Sequence, residues 1–297
     1  MDMFWHLLAR TWSAAAFFHP LIQERGREWE KILTALLPEA EKVAVEPILS
    51  AGQREVLTRL LDTLQDPSTG LVSTIEENLS PKRRTEVVYE TLPGNVAYVR
   101  VKHWFDFAIS PGSFAQWDEV VQLVTGAVEA AVHEQASALV LDFRETTGTR
   151  AERHSEDRFI YGRLRTELIS RLFERPISLP QLARVQRVGY HDPEELGRTV
   201  GGYTTEWVIQ ASSTPVMPGE LVFTGPLFVL TGCETSAQLE PVLILLQQTG
   251  RAYCLGEQSQ PYRAEEYLLS LTNEWKVRLR QHILFYHDHP IRYTPIS

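Results

Sequence analysis

The sequence predicts a mixed α/β fold that follows a helical N-terminal region. Apolar residues recur at helical spacing up to residue 66. Residues 113–135 indicate a long amphipathic helix, which precedes a short, nearly all-apolar strand at Ala138–Phe143. A second apolar strand at 226–231 is followed by a turn, a helix and another strand. Because strands and helices alternate in this way, we predict a helical domain over 1–75 and an α/β core domain over 76–297.

The predicted elements follow the chain in order. Two apolar stripes with helical spacing indicate N-terminal helices, and they consist of Trp29, Ile32, Leu33, Leu36 and Leu37, then Val56, Leu57, Leu60, Leu61 and Leu64. Residues 70–85 lose this periodicity and are interpreted as a connector. A hairpin is predicted from 86–91 and 95–101, because a Pro-Gly pair separates these two β-rich runs.

The second half of the chain carries more short apolar runs than the first. Residues 150–172 indicate a charged helix, whereas 183–188 and 203–210 indicate strands. The C-terminal segments 268–272 and 277–285 predict further strands. No internal repeat or low-complexity tract interrupts this pattern.

Composition and charge exclude several classes of function. The chain has 297 residues, 43% of them hydrophobic, and a formal net charge of −9 with no basic stripe, so we expect no nucleic-acid partner. The short run Lys82–Arg84 is interpreted as a solvated linker. No apolar stretch reaches the length of a membrane span, and the N-terminal residues contain His6 and Arg10, so neither membrane insertion nor a signal peptide is expected. With two cysteines in the whole chain, a cytoplasmic location is expected.

The most informative stretch runs from Pro226 to Glu257. A turn before a helix N-terminus exposes unpaired backbone N–H groups and the positive end of the helix dipole, which suits a nucleophile beside a developing oxyanion. This stretch resembles the nucleophile motif of the S41 serine peptidases, which reads roughly L-T-x-x-x-T-x-S-A-x-E and then G-R-A-x-x-x-G-E. The matching residues are Leu230, Thr231, Thr235, Glu240, Gly250, Arg251, Ala252, Gly256 and Glu257.

Two further segments are similar to S41 patterns. Residues 139–149 resemble L-I-L-D-L-R-x-N-x-G-G, whose glycine turn supplies an oxyanion N–H in that family. The N-terminal region resembles family segments that include F-H-P and L-x-D-P-H-T, here Phe18–Pro20 and Leu64–Thr69. The resemblance implies a ClpP/crotonase-like α/β core of the S41 peptidase type.

The motifs that carry peptidase chemistry depart from the family pattern. The nucleophile position holds Ala237, and the family histidine position holds Ser68. In the oxyanion loop Gly148 is kept, but Thr149 replaces the second glycine and Thr146 replaces the asparagine. No lysine follows Gly256-Glu257. Since a serine nucleophile needs a base and an oxyanion hole, these losses imply that proteolysis is lost.

Other nucleophiles are open alternatives. Ser236 could act through a one-residue shift of the turn, although one residue rotates a helical side chain by about 100°. The competing interpretation is that Ser236 or Thr235 caps the helix, with Glu240 in its first turn. Cys233 lies before the same helix, but a small thiol more commonly packs in the interior.

The remaining candidates are charged or imidazole side chains. Arg144, Glu145 and Glu257 follow buried strands and are expected at one edge of the sheet, where ligands gather, or alternatively in an Arg–Glu pair. A zinc site from His282, His287 and His289 is a second hypothesis, against exposed polar surface. His19 is expected to be structural, and our interpretation assigns neither a metal nor a cofactor.

These features lead to two expectations of different class. The first is a catalytically degenerate S41 peptidase-like protein whose cleft binds a peptide or an apolar small molecule, as the retinoid-binding branch of that superfamily implies. The second is an enzyme, either a hydrolase that uses Ser236 or a repurposed catalyst, for example a biosynthetic one, that needs no serine. Residues expected to line the cleft are Arg144, Glu145, Cys233, Glu240 and Ser68.

Overall fold

The fold was obtained as a computed structural model of the full chain. The structure describes residues 3–66, 68–73, 86–103, 114–146, 165–191, 202–209, 214–259, 266–287, 289–291 and 295–296. The chain forms two compact units. The first contains Met1–Asn78, Leu182–Gln210 and Arg263–Ile283, and the second contains Leu79–Gln181, Ala211–Tyr262 and Leu284–Ser297. The N-terminal helices therefore share their unit with strands from much later in the chain.

Three helices begin the first unit. They are α1 (Met3–Phe18), α2 (Ile22–Val43) and α3 (Ala51–Asp62), as the helical spacing predicted. The N-terminus of α3 is capped by Ser50, whose side chain accepts a hydrogen bond from the Gln53 N–H. Most residues of the predicted apolar stripes lie in or against one buried core, which includes Trp29, Leu36, Leu57 and Leu61, whereas Leu37 is exposed. Burial of this core is the main stabilising contribution to the three-helix arrangement.

A three-stranded antiparallel sheet completes that core. Its strands are β1 (Gly70–Ser73), β9 (Glu266–Ser270) and β10 (Trp275–Arg280), in the order β1-β10-β9. The prediction of a connector over 70–85 was therefore wrong for residues 70–73, because β1 obtains its stability from pairing with β10, more than 200 residues later. Residues 74–85, which include the predicted solvated linker, lie outside the described residues. The first unit also contains β5 (Gln181–His191) and β6 (Gly202–Ile209), paired antiparallel.

The second unit is built on a five-stranded sheet. Its strands are β2 (Glu86–Leu92), β3 (Val96–Lys102), β4 (Ala138–Glu145), β7 (Leu227–Thr231) and β8 (Tyr253–Gly256), in the order β2-β3-β4-β7-β8. The hairpin β2–β3 is antiparallel, and its turn places Gly94 and Asn95 at positive φ. Strands β3, β4, β7 and β8 run parallel.

Helices cover one side of this sheet. Helix α4 (Phe114–His133) packs against β2 and β3, and α5 (Glu240–Gln248) packs against β8. Side chains of β3, β4 and β7 alternate, so that one face is almost fully buried. The buried residues of that face are Ala97, Val99, Val101, Leu139, Leu141, Phe143, Leu227 and Val229. The mixed α/β fold predicted from the sequence is confirmed.

The remaining elements agree with the sequence only in part. Residues 165–170 are helical and residues 171–172 form a turn, whereas 150–164 of the predicted helix lie outside the described residues. The predicted strand at 277–285 is split at Gln281 into β10 and β11 (His282–Tyr286), and β11 pairs with β12 (His289–Ile291). Within the described ranges, no helix is long and apolar enough to cross a membrane.

Strand β8 depends on a close approach of backbone to backbone. Gly256 has φ +115°, and a Cβ at this position would lie 2.2 Å from the Thr231 carbonyl oxygen of β7. We expect Gly256→Ala to lower the free energy of unfolding by about 3 kcal/mol or more. The Thr231 carbonyl oxygen belongs to the backbone of β7, so it cannot move away from the added methyl group by a simple side-chain rotation. Chemical denaturation of the purified protein measures this.

Gly126→Ala is the matched control. Gly126 lies within α4 with nothing within 4 Å of its would-be Cβ, so we expect this substitution to raise the free energy of unfolding by about 0.5–1 kcal/mol. Equal stabilities for Gly256→Ala and the wild type would contradict the assigned backbone contact.

Candidate functional site

The carboxyl ends of three parallel strands form the candidate site. Asp142 is in register with Leu230, and Leu230 is in register with Leu255, so β4, β7 and β8 end side by side. Arg144 and Glu145 end β4, the turn 232–236 follows β7, and Glu257 follows β8. The structure therefore brings together the charged residues that the sequence placed at one edge of the sheet.

Thr235 fixes the turn after β7 to the end of β4. Its hydroxyl donates to the Phe143 carbonyl oxygen at 2.9 Å and accepts from the Gly232 N–H at 2.8 Å. The Thr235 N–H donates to the Gly232 carbonyl oxygen at 2.9 Å. Because Thr235 is fully buried, these bonds satisfy polar groups that water cannot reach.

Ser236 is also fully buried and is held on two sides. Its N–H donates to the Thr146 hydroxyl at 2.9 Å, and that hydroxyl donates to the Phe143 carbonyl oxygen at 2.9 Å. The Ser236 hydroxyl accepts a hydrogen bond from the Gln238 N–H at 3.2 Å. This bond stabilises the start of the 3-10 segment Ala237–Leu239. The N-cap of α5 is Leu239 and has no side-chain cap hydrogen bond, so the expectation that Ser236 or Thr235 caps this helix was wrong.

The helix after this turn begins later than the sequence predicted. Ala237, at the family nucleophile position, starts a short 3-10 segment over Ala237–Leu239, and α5 begins at Glu240. Glu240 is buried in the first turn of α5 and is followed by Pro241, a favourable order for a helix start. The small polar residues thus lie before the α-helix, because Pro241 suits its first positions.

Glu257 closes the other side of the same turn. Its Oε2 accepts a hydrogen bond from the Cys233 N–H at 3.2 Å. Its backbone N–H donates to the Thr231 carbonyl oxygen at 3.0 Å, and the Thr231 hydroxyl donates to the Glu257 carbonyl oxygen at 2.8 Å. Neither cysteine forms a disulfide, and the Cys233 thiol is exposed whereas Cys254 is buried. The exposure of Cys233 differs from the interior packing that we considered more common for a small thiol.

Arg144 is oriented by a buried carboxylate that the sequence reasoning missed. Asp142 accepts hydrogen bonds from Arg144 Nε at 2.9 Å and Nη2 at 2.7 Å, and from the Tyr98 hydroxyl at 2.5 Å. The Asp142 side chain is 3% exposed and that of Arg144 is 55% exposed. A lone aspartate in an apolar strand, with arginine two residues later on the same face, is the sequence signal that could have identified this pair.

These contacts determine the protonation of the cluster. Burial opposes ionisation of Asp142, but the hydrogen bonds from Arg144 and Tyr98 outweigh it, so the pKa of this carboxyl is below its usual value. Burial and the Asp142 charge raise the pKa of the Tyr98 hydroxyl. Glu145 pairs with Lys102 at 3.2 Å. The alternative of an Arg–Glu pair is therefore corrected, since the partner of Arg144 is Asp142.

Ser68, at the family histidine position, belongs to a buried cluster in the first unit. Its hydroxyl donates to both carboxylate oxygens of Asp66 at 2.8 Å, and its N–H donates to Asp66 Oδ1 at 3.1 Å. His19 Nε2 lies 3.0 Å from Asp66 Oδ2 and 3.0 Å from the Thr69 hydroxyl. Ser68 is 1% exposed, so its hydroxyl stabilises the turn at Asp66 and is not accessible to a ligand.

The hydrogen bonds at His19 indicate its tautomer. The Leu21 N–H donates to His19 Nδ1 at 3.3 Å, so Nε2 carries the proton that is shared with Asp66. Arg280 Nη1 lies 3.7 Å from Asp66 Oδ1. Burial raises the pKa of Asp66, but the His19 hydrogen bond and the Arg280 charge outweigh it and hold this pKa far below its usual value. His19 is thus structural, at the end of α1, as expected.

Several sequence candidates do not meet in a site. Gly148 and Thr149 of the expected oxyanion loop lie outside the described residues. Of the histidines in the zinc hypothesis, His282 is buried while His287 and His289 are exposed. Among the residues that the structure describes, no group of three or more His, Cys, Asp or Glu side chains could hold a metal ion.

A cavity of about 520 Å³ lies in the second unit beside Arg251, within the matched Gly250-Arg251-Ala252 motif. The Arg251 guanidinium donates to the carbonyl oxygens of Leu172 at 2.7 Å, of Gly225 at 3.0 Å, and of Phe223. Burial lowers its pKa, and the charge of Glu174 opposes that shift. Since its N–H groups donate to three backbone carbonyl oxygens, Arg251 links these backbone segments and has a structural role.

Comparisons with known proteins support the fold. No family model matches the chain, and no curated protein matches it in sequence. Among solved structures, a putative peptidase from Parabacteroides merdae matches with a TM-score of 0.51 and 12% identity, over 86% of this chain and 76% of that one. At this identity the likeness concerns the fold alone.

Two further structures match over almost the whole chain at lower scores. A lipoprotein from Streptococcus agalactiae has a TM-score of 0.48 and 13% identity, over 99% of this chain and 91% of that one. The photosystem II D1 C-terminal processing protease, an S41 peptidase, has a TM-score of 0.46 and 11% identity, over 99% of this chain and 92% of that one. S41 family peptidases are among the solved structures to which this chain is similar.

The buried Asp66 carboxylate is expected to make stability depend on pH. Asp66→Asn should lower the free energy of unfolding at pH 7 by about 3 kcal/mol, because it leaves Arg280 without a buried carboxylate. Since the folded-state pKa is lowered, this contribution is present above about pH 4 and is lost as the pH falls further. Urea denaturation from pH 7 to pH 3 should show the two proteins converging below about pH 4.

Asp62→Asn serves as the control, because Asp62 is exposed at the end of α3 and its replacement should change stability by less than about 0.5 kcal/mol. A gap between wild type and Asp66→Asn that stays constant down to pH 3 would contradict an ionised Asp66.

Proposed function

We propose that this chain is an S41 peptidase-like protein that has lost serine-peptidase chemistry and binds a peptide or an apolar small molecule. One observation carries the first half of the proposal. Ala237 stands at the nucleophile position, and the neighbouring Ser236 hydroxyl is fully buried and accepts the Gln238 N–H.

The geometry of the turn argues against Ser236 as a substitute nucleophile. A serine nucleophile must reach a substrate carbonyl and give its proton to a base. Ser236 has no exposed surface, and its N–H donates to Thr146 rather than pointing toward a developing oxyanion. In the serine peptidase subtilisin, loss of the nucleophile alone lowers the rate by about a millionfold.

The edge of the sheet supports a binding function. Ligands of open α/β sheets gather beyond the carboxyl ends of the strands. Arg144, Cys233 and Glu257 are exposed at that edge, and Asp142, Thr235 and the backbone of Thr231 hold them in place. A preorganised polar edge of this kind can orient a ligand without any serine chemistry.

The reducing location expected from the sequence is part of the same proposal. Neither cysteine forms a disulfide, and the exposed thiol of Cys233 would be open to oxidation outside a reducing compartment.

Fluorophosphonate labelling tests the loss of serine chemistry. We expect no covalent adduct on the purified wild-type protein by intact mass and peptide mapping, while an active S41 peptidase treated in parallel is labelled. Ser236→Ala is the matched control. An adduct on Ser236 that disappears in this variant would overturn the proposal and lead to peptide and ester substrates.

Ligand-induced stabilisation tests the binding half. A ligand present at 100 times its dissociation constant should stabilise the folded protein by about 2.7 kcal/mol without being converted. Thermal unfolding with a peptide and small-molecule library, followed by mass analysis of each hit, measures both properties. Turnover that depends on Arg144 or Glu257 would instead support the alternative of a repurposed enzyme.

A further inference from the structure

The five-stranded sheet has a second face that differs from the one packed under the helices. Alternate residues of β3, β4, β7 and β8 point to this face, and most are only half-buried. We use the term second face for the set Tyr98, Arg100, Val140, Asp142, Arg144, Phe228, Leu230, Tyr253 and Leu255.

Two guanidinium groups flank one carboxylate on this face. Arg100 is in register with Asp142 on the adjacent strand, and Arg144 follows Asp142 by two residues. Asp142 binds Arg144 through Nε and Nη2, and the Tyr98 hydroxyl also interacts with this guanidinium, while the Arg144 side chain stays 55% exposed. Arg100 and Arg144 therefore lie close to the same buried carboxylate on this face.

Arg100 has unused hydrogen-bonding capacity. Its Nε is buried without a hydrogen-bond partner, and the described part of the structure contains no ion pair to its guanidinium. Buried donors are normally satisfied, and an unpaired one on an arginine calls for an explanation. An anion beside Arg100 and Arg144 would satisfy it, because guanidinium groups bind carboxylates with two parallel N–H bonds.

An apolar row lies next to these cations. Tyr98, Val140, Phe228 and Tyr253 are in register across four strands, and the Phe228 and Tyr253 rings stack at 5.5 Å. Tyr253 is 60% exposed. Since aromatic rings favour contact with apolar groups, this row offers a surface for the uncharged part of a ligand.

We propose that the second face binds a small apolar molecule with one carboxylate, which lies between Arg100 and Arg144 while its apolar part covers the row Tyr98–Val140–Phe228–Tyr253. The two guanidinium groups favour a carboxylate, and the aromatic row favours an apolar body. This inference rests on the proposed ligand-binding function and names the class of its ligand.

Isothermal titration of the full chain with 4-phenylbutyrate and with 4-phenylbutyramide tests the inference. The two probes share an apolar body and differ in the carboxylate. We expect the carboxylate to bind about tenfold more tightly than the amide, because hydrogen bonds to charged groups are stronger than neutral ones.

Three variants assign that preference to the site. Arg100→Gln should abolish the preference for the carboxylate, whereas Arg100→Lys should retain part of it because the charge remains. Arg184→Gln, which changes an exposed arginine on β5, should leave the preference unchanged. Thermal unfolding of each variant confirms that it is folded before titration.

The outcomes separate this inference from the proposed function. Equal affinity for the two probes, or a preference that survives Arg100→Gln, would overturn the carboxylate site while leaving a ligand-binding function in place. Absence of binding by both probes at millimolar concentration would also overturn it, whereas the loss of serine chemistry is decided separately by fluorophosphonate labelling.

Discussion

The Phe143 carbonyl oxygen is the point on which the candidate site depends. It accepts hydrogen bonds from two buried threonine hydroxyls, Thr146 at the end of β4 and Thr235 in the turn after β7. Because both donors are inaccessible to water, loss of either bond would leave a buried polar group unsatisfied. This pair of bonds therefore fixes the ends of two neighbouring strands in one arrangement.

The same arrangement supports the proposed loss of serine-peptidase chemistry. Thr146 stands where the S41-like pattern has an asparagine, and its hydroxyl accepts a hydrogen bond from the Ser236 N–H. The Ser236 hydroxyl in turn accepts a hydrogen bond from the Gln238 N–H. Polar groups that could act on a substrate are used to stabilise the turn.

Buried carboxylates have a similar structural role in both units. Asp66 is surrounded by His19, Ser68, Thr69 and Arg280, and Asp142 by Tyr98 and Arg144. In each case donors offset the cost of burying the charge, and the pKa of the carboxyl is lowered. The difference lies in exposure, since Asp66 supports only buried partners whereas Asp142 orients an exposed guanidinium at the edge of the sheet.

Local sequence patterns determined most of the elements and their order. Helical spacing predicted α1 to α3, and apolar runs predicted β4, β7 and β8. Both predictions depend only on the spacing of apolar residues among sequence neighbours. The ends of the predicted strands likewise placed Arg144, Glu145 and Glu257 at one edge of a parallel sheet. These inferences needed no contact between distant segments.

Tertiary structure alone decided the rest. Strand β1 exists because β10 pairs with it, and neither segment indicates the other in sequence. The partner of Arg144, the burial of Ser236 and Ser68, and the unpaired Nε of Arg100 all depend on which side chains meet across strands. The sequence by itself determined the residue types at the site and the strands that carry them. Only the folded chain decided which donors face which acceptors, because hydrogen-bond partners are selected by three-dimensional proximity rather than by spacing along the chain.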